Sequence, residues 1–335
     1  MSPDDLARRY WHAVAFESAL DEGPVAVRVL GEDLVVARVG DDLVAAPDRC
    51  PHRGASLSRG HVGVSPGGTS CLVCPYHALH FAADGTAVHL PARPESRLPE
   101  RLALSTLPVR AVHGLVWASL DPEPLGVLPD WSAFDVAGRA RFQLGPHPWA
   151  AQASRITENF NDLAHFATVH AVTFGDADNT VIPPVELFAE GDVIEHGVRM
   201  HQLDRVTLDG PLVSAEVAYH YTHVMPFASE LVITYAPDRI EWIQVAITPA
   251  TRLDAEVQES LVFQQNARDF DLEGDIAGWS DFQAEVNEED RHVLETVRPA
   301  RISPDGSDVD EIALGFDTFT TAYRRRWKTT LEPPT

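Results

Sequence analysis

Residues 50–77 read CPHRGASLSRGHVGVSPGGTSCLVCPYH, and this stretch contains all three cysteines of the 335-residue chain. It carries two Cys–His pairs, Cys50 with His52 and Cys74 with His77. A proline follows the cysteine of each pair, which favours a tight loop, and each loop closes an apolar run that is typical of a strand. Two such loops facing each other would offer two sulfur atoms and two imidazole nitrogens to a metal centre.

The order of the cysteines and histidines indicates which metal centre fits. Structural zinc sites usually pair Cys with Cys and His with His along the chain, whereas each loop here supplies one of each. The mixed pairing fits a Rieske [2Fe–2S] cluster, in which two cysteines hold one iron and two histidines hold the other. A zinc site is the alternative. Cys71 lies within an apolar run, so we expect a small buried side chain rather than half of a C-x-x-C redox pair.

Charge and composition exclude several classes of partner. The formal net charge is −24, and 44% of the residues are hydrophobic. So acidic a protein is repelled by nucleic-acid phosphates and by anionic lipid surfaces, and neither is an expected partner. The first residues lack the pattern of a secretory signal, and no apolar run is long enough to cross a membrane. We therefore expect a cytoplasmic protein.

Hydrophobic periodicity divides the chain into an early and a late part. In the early part, short β-branched runs alternate with turn signals, which predicts small antiparallel sheets. A segment rich in Pro and Asp follows. We expect an all-β domain over residues 1–120.

The late part combines strands and helices. Residues 182–264 alternate in the manner of strands. Helices are predicted over residues 152–170, 280–297 and 308–331. The predicted fold class is therefore α+β, with an antiparallel sheet flanked by helices over residues 121–335.

A second cluster of metal-binding residue types lies in ENFNDLAHFATVH, residues 158–170. On a regular helix Asn159, Asp162 and His165 share one face. His165 and His170 are about 140° apart, so both can reach one metal only if the helix is widened or broken between them. The alternative is a solvated polar helix face whose histidines are incidental.

A facial iron site with two histidines needs one carboxylate and leaves neighbouring positions open for oxygen. Residues 281–297 read DFQAEVNEEDRHVLETV, and one carboxylate there, Asp290, falls on the apolar stripe of the helix. That stripe consists of Phe282, Val286, Val293, Leu294 and Val297. The remaining carboxylates are expected to project elsewhere: Asp281, Glu285, Glu288, Glu289 and Glu295. Because a carboxylate on an apolar stripe is costly to bury without a partner, Asp290 is the predicted third ligand. An ion pair with Arg155 or with an arginine of another helix is the alternative.

Together these motifs resemble the catalytic subunits of the Rieske non-heme iron oxygenases, the ring-hydroxylating family, along most of the chain. The matching segments occur in the family's order: WHAVAFES, the two Cys–His loops, GLVWASL, the N-x2-D-x2-H-x4-H run and EEDRHVLE. The modest length is similar to that of the demethylase and monooxygenase branch, which is built from one type of large subunit.

For the cluster, the resemblance implies four ligands: Cys50, His52, Cys74 and His77. The family commonly continues its second loop as CPYHGWxF, whereas this chain reads CPYHALHF. Ala78 and Leu79 therefore depart from the pattern, and both are expected at the exposed edge where an electron donor docks. Arg53 and Arg59 would offer positive charge there to an acidic donor. The alternative is that they are ordinary loop arginines.

For the catalytic domain, the resemblance implies a mononuclear Fe(II) held by His165, His170 and Asp290. It implies that Asp162 bridges the two metal centres and that Asn159 lies near the iron without binding it. It also implies that electrons pass from the cluster of one subunit to the iron of its neighbour, in a homotrimer.

The function that follows is oxidation of an aromatic or polycyclic small molecule by hydroxylation, demethylation or desaturation. O2 is the oxidant, and electrons come from an NAD(P)H-dependent reductase, with or without a ferredoxin. The chain has no G-x-G-x-x-G, so the nicotinamide binds elsewhere. The alternative is a Rieske electron carrier or binding protein without the mononuclear iron. A 2-oxoglutarate oxygenase is disfavoured, because no histidine has an acidic residue two positions later.

Overall fold

The computed structural model describes residues 1–205, 212–271 and 274–332. The chain forms two compact units. The smaller unit comprises Arg8–Leu125 and Ala250–Arg252, and the larger comprises Met1–Ala7, Gly126–Pro249 and Leu253–Thr335. In the described part of the chain, no helix has the length and apolar character needed to span a membrane.

Short antiparallel strands build the smaller unit, as its sequence predicts. They are β1 (His12–Phe16), β2 (Val25–Val29), β3 (Glu32–Val39), β4 (Asp42–Pro47), β5 (His61–Val64), β6 (Ser70–Val73), β7 (His80–Phe81), β8 (Ala87–His89), β9 (Val109–Val112) and β10 (Leu115–Ala118). Short 3₁₀ helices cover Glu17–Asp21 and Leu57–Arg59. The sheets have the orders β1-β10-β9, β2-β3-β4 and β5-β6-β7-β8.

An apolar core holds the last two of these sheets together. Val35 and Ala37 of β3 belong to the same buried cluster as Leu72 of β6 and Phe81 of β7. Each fully buried aliphatic or aromatic side chain of this size stabilises the fold by roughly 1.5–3 kcal/mol. Cys50 and Cys74 belong to this cluster too, so the core anchors the start of both Cys–His loops.

The larger unit is built on one antiparallel sheet. Its strands are β11 (Ala140–Trp149), β12 (Glu186–Glu190), β13 (Val193–Arg205), β14 (Leu212–Val224), β15 (Ala228–Ala236), β16 (Arg239–Pro249) and β17 (Ser260–Arg268). Their order is β11-β17-β16-β15-β14-β13-β12, so the strands from β12 to β17 follow one another and β11 pairs with β17. A 3₁₀ helix, Ser132–Asp135, precedes β11.

Helices cover one face of this sheet. They are α2 (Ala153–Phe160), α3 (Phe166–Val169), α4 (Ile276–Leu294) and α5 (Thr318–Leu331), and α1 (Pro3–Ala7) lies near the start of the chain. Tyr221, Leu231 and Ile243 are directly opposite one another on β14, β15 and β16, so they project from the same face. α4 contacts that face where the Asn287 amide donates to Gln264 Oε1 at 2.7 Å.

One helix is shorter than the sequence predicts. The helix expected over residues 308–331 begins only at Thr318. Ile312 and Leu314 in the preceding segment are 83% and 56% exposed. Because most helical stability in proteins comes from burying an apolar face, a segment that buries none has little reason to be helical.

Candidate functional site

The two Cys–His loops have the same backbone hydrogen bond at their start. The Cys50 N–H donates to the carbonyl of Ala55 at 2.8 Å, and the Cys74 N–H donates to the carbonyl of Leu79 at 2.9 Å. Each loop thus returns to its own cysteine five residues later. This shared turn holds the two thiols at equivalent positions on the core.

The four expected cluster ligands divide into a buried pair and a surface pair. Cys50 and Cys74 are each 2% exposed, whereas His52 is exposed, His77 is half-buried and their ring centroids are 4.7 Å apart. Burial raises the pKa of the Cys50 thiol to about 11, and the neighbouring Cys74 thiol contributes to the rise. Such thiols become ligands when a metal displaces their protons. Two buried sulfurs and two surface imidazoles fit the unequal ligation of a Rieske cluster. Cys71 is buried within β6, as predicted.

The expectation that Ala78 and Leu79 both lie at the exposed edge is wrong for Leu79. Ala78 is half-buried, but Leu79 is 1% exposed and belongs to the apolar core. The Leu79 carbonyl closes the turn to Cys74 just before β7. Its apolar side chain packs into the core there, and removing that side chain from water stabilises the fold. The exposed aromatic group of this loop is Tyr76, 62% exposed, whose ring stacks on that of His77 at 3.9 Å between centroids.

Ala78 has a backbone conformation that suits glycine. It occupies the position in its loop that Gly54 has in the first loop: each N–H donates to the cysteine carbonyl four residues earlier, and φ is +52° and +74° respectively. A left-handed conformation costs a residue with a Cβ roughly 1–2 kcal/mol. Ala78→Gly is therefore expected to stabilise the smaller unit by about 1 kcal/mol, after the greater freedom of unfolded glycine is subtracted. The measurement is the temperature at which the visible absorption of the cluster is lost. The control is Ala87→Gly in the extended strand β8, which should lower that temperature; a fall for both variants contradicts the prediction.

The predicted helix over residues 152–170 is interrupted. α2 ends before Asn161, whose side-chain amide donates to the Thr157 carbonyl at 2.8 Å, and the chain resumes as the single turn of α3. The break lies before His165 rather than between the two histidines, and His170 leaves the turn with non-helical backbone angles. The N–H groups of Val169 and His170 donate to the carbonyls four residues earlier, so the expectation that the helix is widened or broken between the two histidines is wrong. A helical projection gives the direction of each side chain but not how far an imidazole can reach.

His165, His170 and Asp290 converge on one point. The two Nε2 atoms are 3.1 Å apart, and each lies 3.3 Å from Asp290 Oδ1. Two nitrogens and one carboxylate oxygen at this spacing are the donor set of a facial two-histidine, one-carboxylate metal site. Asn159 contributes no ligand to this group; its amide donates to Asp290 Oδ1 at 3.2 Å.

Carboxylates give this group of side chains its affinity for a cation. Burial would lower the pKa of His165, but its hydrogen bonds to Asp162 and Asp290 raise it to about 9. The Nδ1 atom of His165 is 3.1 Å from Asp162 Oδ2. Burial would raise the pKa of Asp290, yet the two imidazoles beside it hold that pKa well below its usual range. The negative charge of these carboxylates can be neutralised by a proton on the imidazole or by a divalent metal ion.

Glu289 was expected to project away from the site, and that expectation is wrong. Its Oε2 accepts from His170 Nδ1 at 2.7 Å and from the Thr173 hydroxyl at 2.8 Å. Neighbouring positions on a helix are about 100° apart, but a glutamate is long enough to reach around that angle. Glu289 and Asp290 therefore contact the two nitrogens of the same imidazole, and Glu289 fixes its orientation.

The apolar stripe that singled out Asp290 is only partly buried. Val286 and Leu294 are each 8% exposed, but Phe282 and Val293 are each 40% exposed. The buried side of α4 also includes Trp279 and Gln283. Asp290 lies on that side, with 14% of its side chain exposed.

The alternative partner of Asp290 is engaged elsewhere. Arg155 forms ion pairs with Glu158 and Glu311. The contacts of Asp290 are instead the two imidazoles and the Asn159 amide. An arginine ion pair therefore does not explain why this carboxylate is buried.

A cavity of about 490 Å³ adjoins these side chains. It lies between the covered face of the sheet and the helices α2–α4. His165, His170 and Asp290 are part of its wall. Much of the remaining wall is aromatic: Phe160, Phe166, Phe174, Tyr219, Tyr235 and Trp279. Flat apolar walls with a few polar groups fit a planar small molecule.

Two family models match successive parts of the chain. The Rieske [2Fe–2S] domain matches residues 10–108, and the vanillate O-demethylase oxygenase C-terminal domain matches residues 149–332. Among curated proteins, methylxanthine N1-demethylase of Pseudomonas putida is 30% identical over 333 residues, which cover 96% of this chain and 88% of the relative. Methylxanthine N3-demethylase of the same organism is 29% identical over 326 residues, covering 95% and 88%.

Solved structures agree with this comparison. The structure of Pseudomonas putida NdmA with caffeine has a TM-score of 0.81 at 27% identity, covering 97% of this chain and 91% of that one. Dicamba monooxygenase bound to dicamba has a TM-score of 0.79, covering 97% and 98%, but at 21% identity it shows the fold alone. The α+β fold class predicted from the sequence is confirmed.

Proposed function

The chain belongs to the Rieske non-heme iron oxygenases, and on that premise we propose that it oxidatively removes a methyl group from an aromatic N-methyl or O-methyl compound. It is an oxidoreductase that uses O2 and electrons from a reductase to oxidise a small aromatic molecule. The observation that carries the proposal is the convergence of His165, His170 and Asp290 on the wall of an aromatic cavity. The relatives that match along most of their length are named N-demethylases, and the C-terminal family model is named after an O-demethylase.

The electron-carrying cofactor is a Rieske [2Fe–2S] cluster. The match of residues 10–108 to the Rieske domain model argues against the alternative zinc site. We assign its ligands to the residues that the sequence predicts: Cys50, His52, Cys74 and His77. Their division into two buried thiols and two surface imidazoles supports this assignment. The proposed domains are accordingly a Rieske domain over residues 1–120 and a catalytic domain over residues 121–335.

We assign a mononuclear Fe(II) to His165, His170 and Asp290. Both imidazoles are largely buried, with 12% and 1% of the side chains exposed, which disfavours a solvated helix face with incidental histidines. Iron held by two histidines and one carboxylate supplies O2 activation, because neighbouring positions stay open. The side chains around the ligands keep them in place: Asp162 accepts from His165, Glu289 from His170, and Asn159 donates to Asp290.

In the proposed reaction one oxygen atom of O2 enters the methyl group and the other leaves as water, with electrons and protons supplied from outside. The hydroxymethyl group then separates as formaldehyde, which leaves an N–H or O–H group on the ring. The aromatic cavity orients the substrate so that its methyl group, rather than its ring, faces the iron ligands.

The electron supply and the assembly are also part of the proposal. We infer an NAD(P)H-dependent reductase, with or without a ferredoxin, that docks near the exposed imidazole edge of the cluster. Arg53 and Arg59 are both exposed, which supports a role in attracting an acidic donor. We further infer a homotrimer, because a head-to-tail contact between neighbouring subunits must close into a ring or polymerise, and the family resemblance implies a trimer.

Turnover with a surrogate reductase, NADH and O2 tests the demethylase proposal. The holoenzyme is incubated with a panel of aryl methyl ethers and N-methylated heteroaromatic compounds, and products are identified by mass spectrometry. The expected result is loss of the methyl group with an equivalent amount of formaldehyde. Products that retain the methyl group and gain oxygen on the ring would overturn demethylation while leaving the oxygenase function intact.

Glu289→Gln tests the positioning of His170. The substitution keeps the size of the side chain but removes the charge that accepts the 2.7 Å hydrogen bond from Nδ1. Loss of such a partner typically weakens metal affinity by about 10–100-fold, and we expect a loss of that size for Fe(II), measured by competition with a chelator. The matched control is Glu288→Gln, an exposed neighbour that pairs with Arg291. Equal Fe(II) affinity in the two variants would contradict the assigned role.

A further inference from the structure

The cavity contains a second charged group besides the proposed iron ligands. Glu241 on β16 and Arg268 on β17 are directly opposite each other, and both line the cavity. Their exposed fractions are only 7% and 6%. Burying a charge is costly unless it is paired or used, so two buried charges in an aromatic pocket call for an explanation. Holding iron and passing electrons require neither of them.

The carboxylate of Glu241 can accept a further hydrogen bond. Its Oε1 accepts from the Trp279 indole N–H at 3.1 Å and from the Asn266 amide at 3.3 Å. Its Oε2 accepts from the Tyr235 hydroxyl at 3.2 Å. Each carboxylate oxygen can accept about two hydrogen bonds. Within the described part of the chain, Oε2 therefore keeps room for one donor from a ligand.

The guanidinium of Arg268 has N–H groups that form no hydrogen bond within the described part of the chain. Its Nε is buried and has no hydrogen-bond partner among the described residues, while a terminal nitrogen donates to the Asp271 carbonyl at 3.3 Å. The guanidinium carbon lies 4.1 Å from the centroid of Trp279 and 5.3 Å from that of Phe270. A guanidinium has five N–H donors, and one hydrogen bond of this group is made within the described part of the chain, so donors remain for a ligand acceptor in the cavity.

The charges around this pair distinguish an anionic ligand from a neutral one. Arg268 alone would favour a carboxylate, but Glu241 stands directly beside it. The other arginine of the cavity wall, Arg239, is paired with Asp204 at 3.0 Å. Asp271 also lines the cavity. A ligand carboxylate would meet more negative than positive charge here, whereas a neutral ligand would not be repelled.

Resting on the proposed demethylase function, we propose that Glu241 and Arg268 together bind an uncharged heteroaromatic substrate through a lactam-type edge. In such an edge a ring N–H is adjacent to a carbonyl. The N–H donates to Glu241, the carbonyl accepts from Arg268, and the ring packs against the aromatic wall. The substrate class is thus N-methylated pyrimidinediones and purinediones with a free ring N–H, and aryl carboxylates are excluded.

Three probes test this on the unmodified holoenzyme, by calorimetric titration without O2. Theobromine has a ring N–H between two carbonyls, caffeine has a methyl group in place of that N–H, and 4-methoxybenzoate carries a carboxylate. We expect theobromine to bind about tenfold or more tightly than caffeine, because caffeine leaves Glu241 without a donor. We expect 4-methoxybenzoate to bind most weakly. Tighter binding of caffeine than theobromine, tightest binding of 4-methoxybenzoate, or no measurable binding of theobromine overturns the proposal.

Variants then assign the preference to the two side chains. Glu241→Gln, close in size, should weaken theobromine binding about tenfold and change caffeine binding little, so that the preference disappears. Arg268→Gln should weaken both xanthines, since both present a carbonyl. Exposed positions of the same sheet provide the controls, Glu216→Gln and Arg199→Gln, which should leave both affinities unchanged. An unchanged preference in Glu241→Gln overturns the proposal.

The two proposals can fail separately, because binding is measured without turnover. If theobromine binds as expected but no methyl group is removed from any compound, the lactam site stands and the demethylase proposal fails. If methyl groups are removed but the benzoate binds most tightly, the demethylase proposal stands and the lactam site fails.

Discussion

Asp290→Ala is expected to remove about one iron per chain and to lower product formation by about three orders of magnitude or more. Asp290 Oδ1 lies 3.3 Å from both His165 Nε2 and His170 Nε2, so the variant loses the one negative ligand of the proposed site. Metal analysis, the visible spectrum of the cluster and a turnover assay measure the three expected consequences. The cluster spectrum and the fold should be retained, because the thiols proposed to hold the cluster belong to the smaller unit.

Carboxylates on the same helix supply the controls. Asp281→Ala changes an exposed residue of α4 and should affect neither iron content nor turnover. Loss of iron in Glu289→Ala, with iron retained in Asp290→Ala, would instead make Glu289 the ligand. Wild-type iron content bears on the carrier alternative as well, since an oxygenase holds about three irons per chain and a Rieske carrier about two.

The cluster loops could be predicted from the sequence because their geometry is local. Each Cys and His of a pair is separated by one or two residues, and a proline restricts the loop between them. The turn that closes each loop is made by backbone hydrogen bonds within six residues. Nothing distant is needed to bring Cys50 near His52 or Cys74 near His77.

The convergence of His165, His170 and Asp290 could be predicted only in part, because it depends on tertiary contacts. The sequence predicts one helix over residues 152–170, but not that it is interrupted between α2 and α3. The break is fixed at Asn161, whose side chain contacts Ser229 and His196 of the sheet as well as α2 itself. Those partners are distant in sequence, so no local pattern reveals them.

Glu289, Glu241 and Arg268 are not predicted from the sequence, for two different reasons. A helical projection misses Glu289 because it considers directions and not side-chain length. Glu241 and Arg268 are far apart along the chain, and only the register of β16 with β17 places them opposite each other. A charged residue in an otherwise apolar strand, such as Glu241 in IEWIQVAI, is the signal that the sequence offers for such a site.

Asp162→Asn is expected to slow reoxidation of the reduced cluster by O2, with substrate present, by about a hundredfold or more. The proposed route runs from the cluster of one subunit to the iron of the next, through a carboxylate between two histidines. One oxygen of Asp162 is 3.1 Å from His165 Nδ1, and 32% of its side chain is exposed, so it can also be reached by another chain. Stopped-flow absorbance follows the cluster, and metal analysis should show both centres filled. Turnover equal to that of the wild type would remove Asp162 from the route.

Mixed assemblies separate transfer between subunits from transfer within one chain. A His77→Ala chain lacks a working cluster but keeps Asp162 and the iron ligands, whereas an Asp162→Asn chain keeps its cluster but its own iron site cannot receive electrons efficiently. Each variant alone should be nearly inactive. If electrons cross between neighbours, the intact cluster of the second chain can supply the intact iron site of the first, and co-assembled variants should recover part of the activity. If electrons stay within one chain, mixing restores nothing, because no chain has both a working cluster and an intact Asp162. A monomer that is fully active at low concentration would also contradict the inter-subunit route, because the ring that connects one chain's cluster to another chain's iron would be unnecessary.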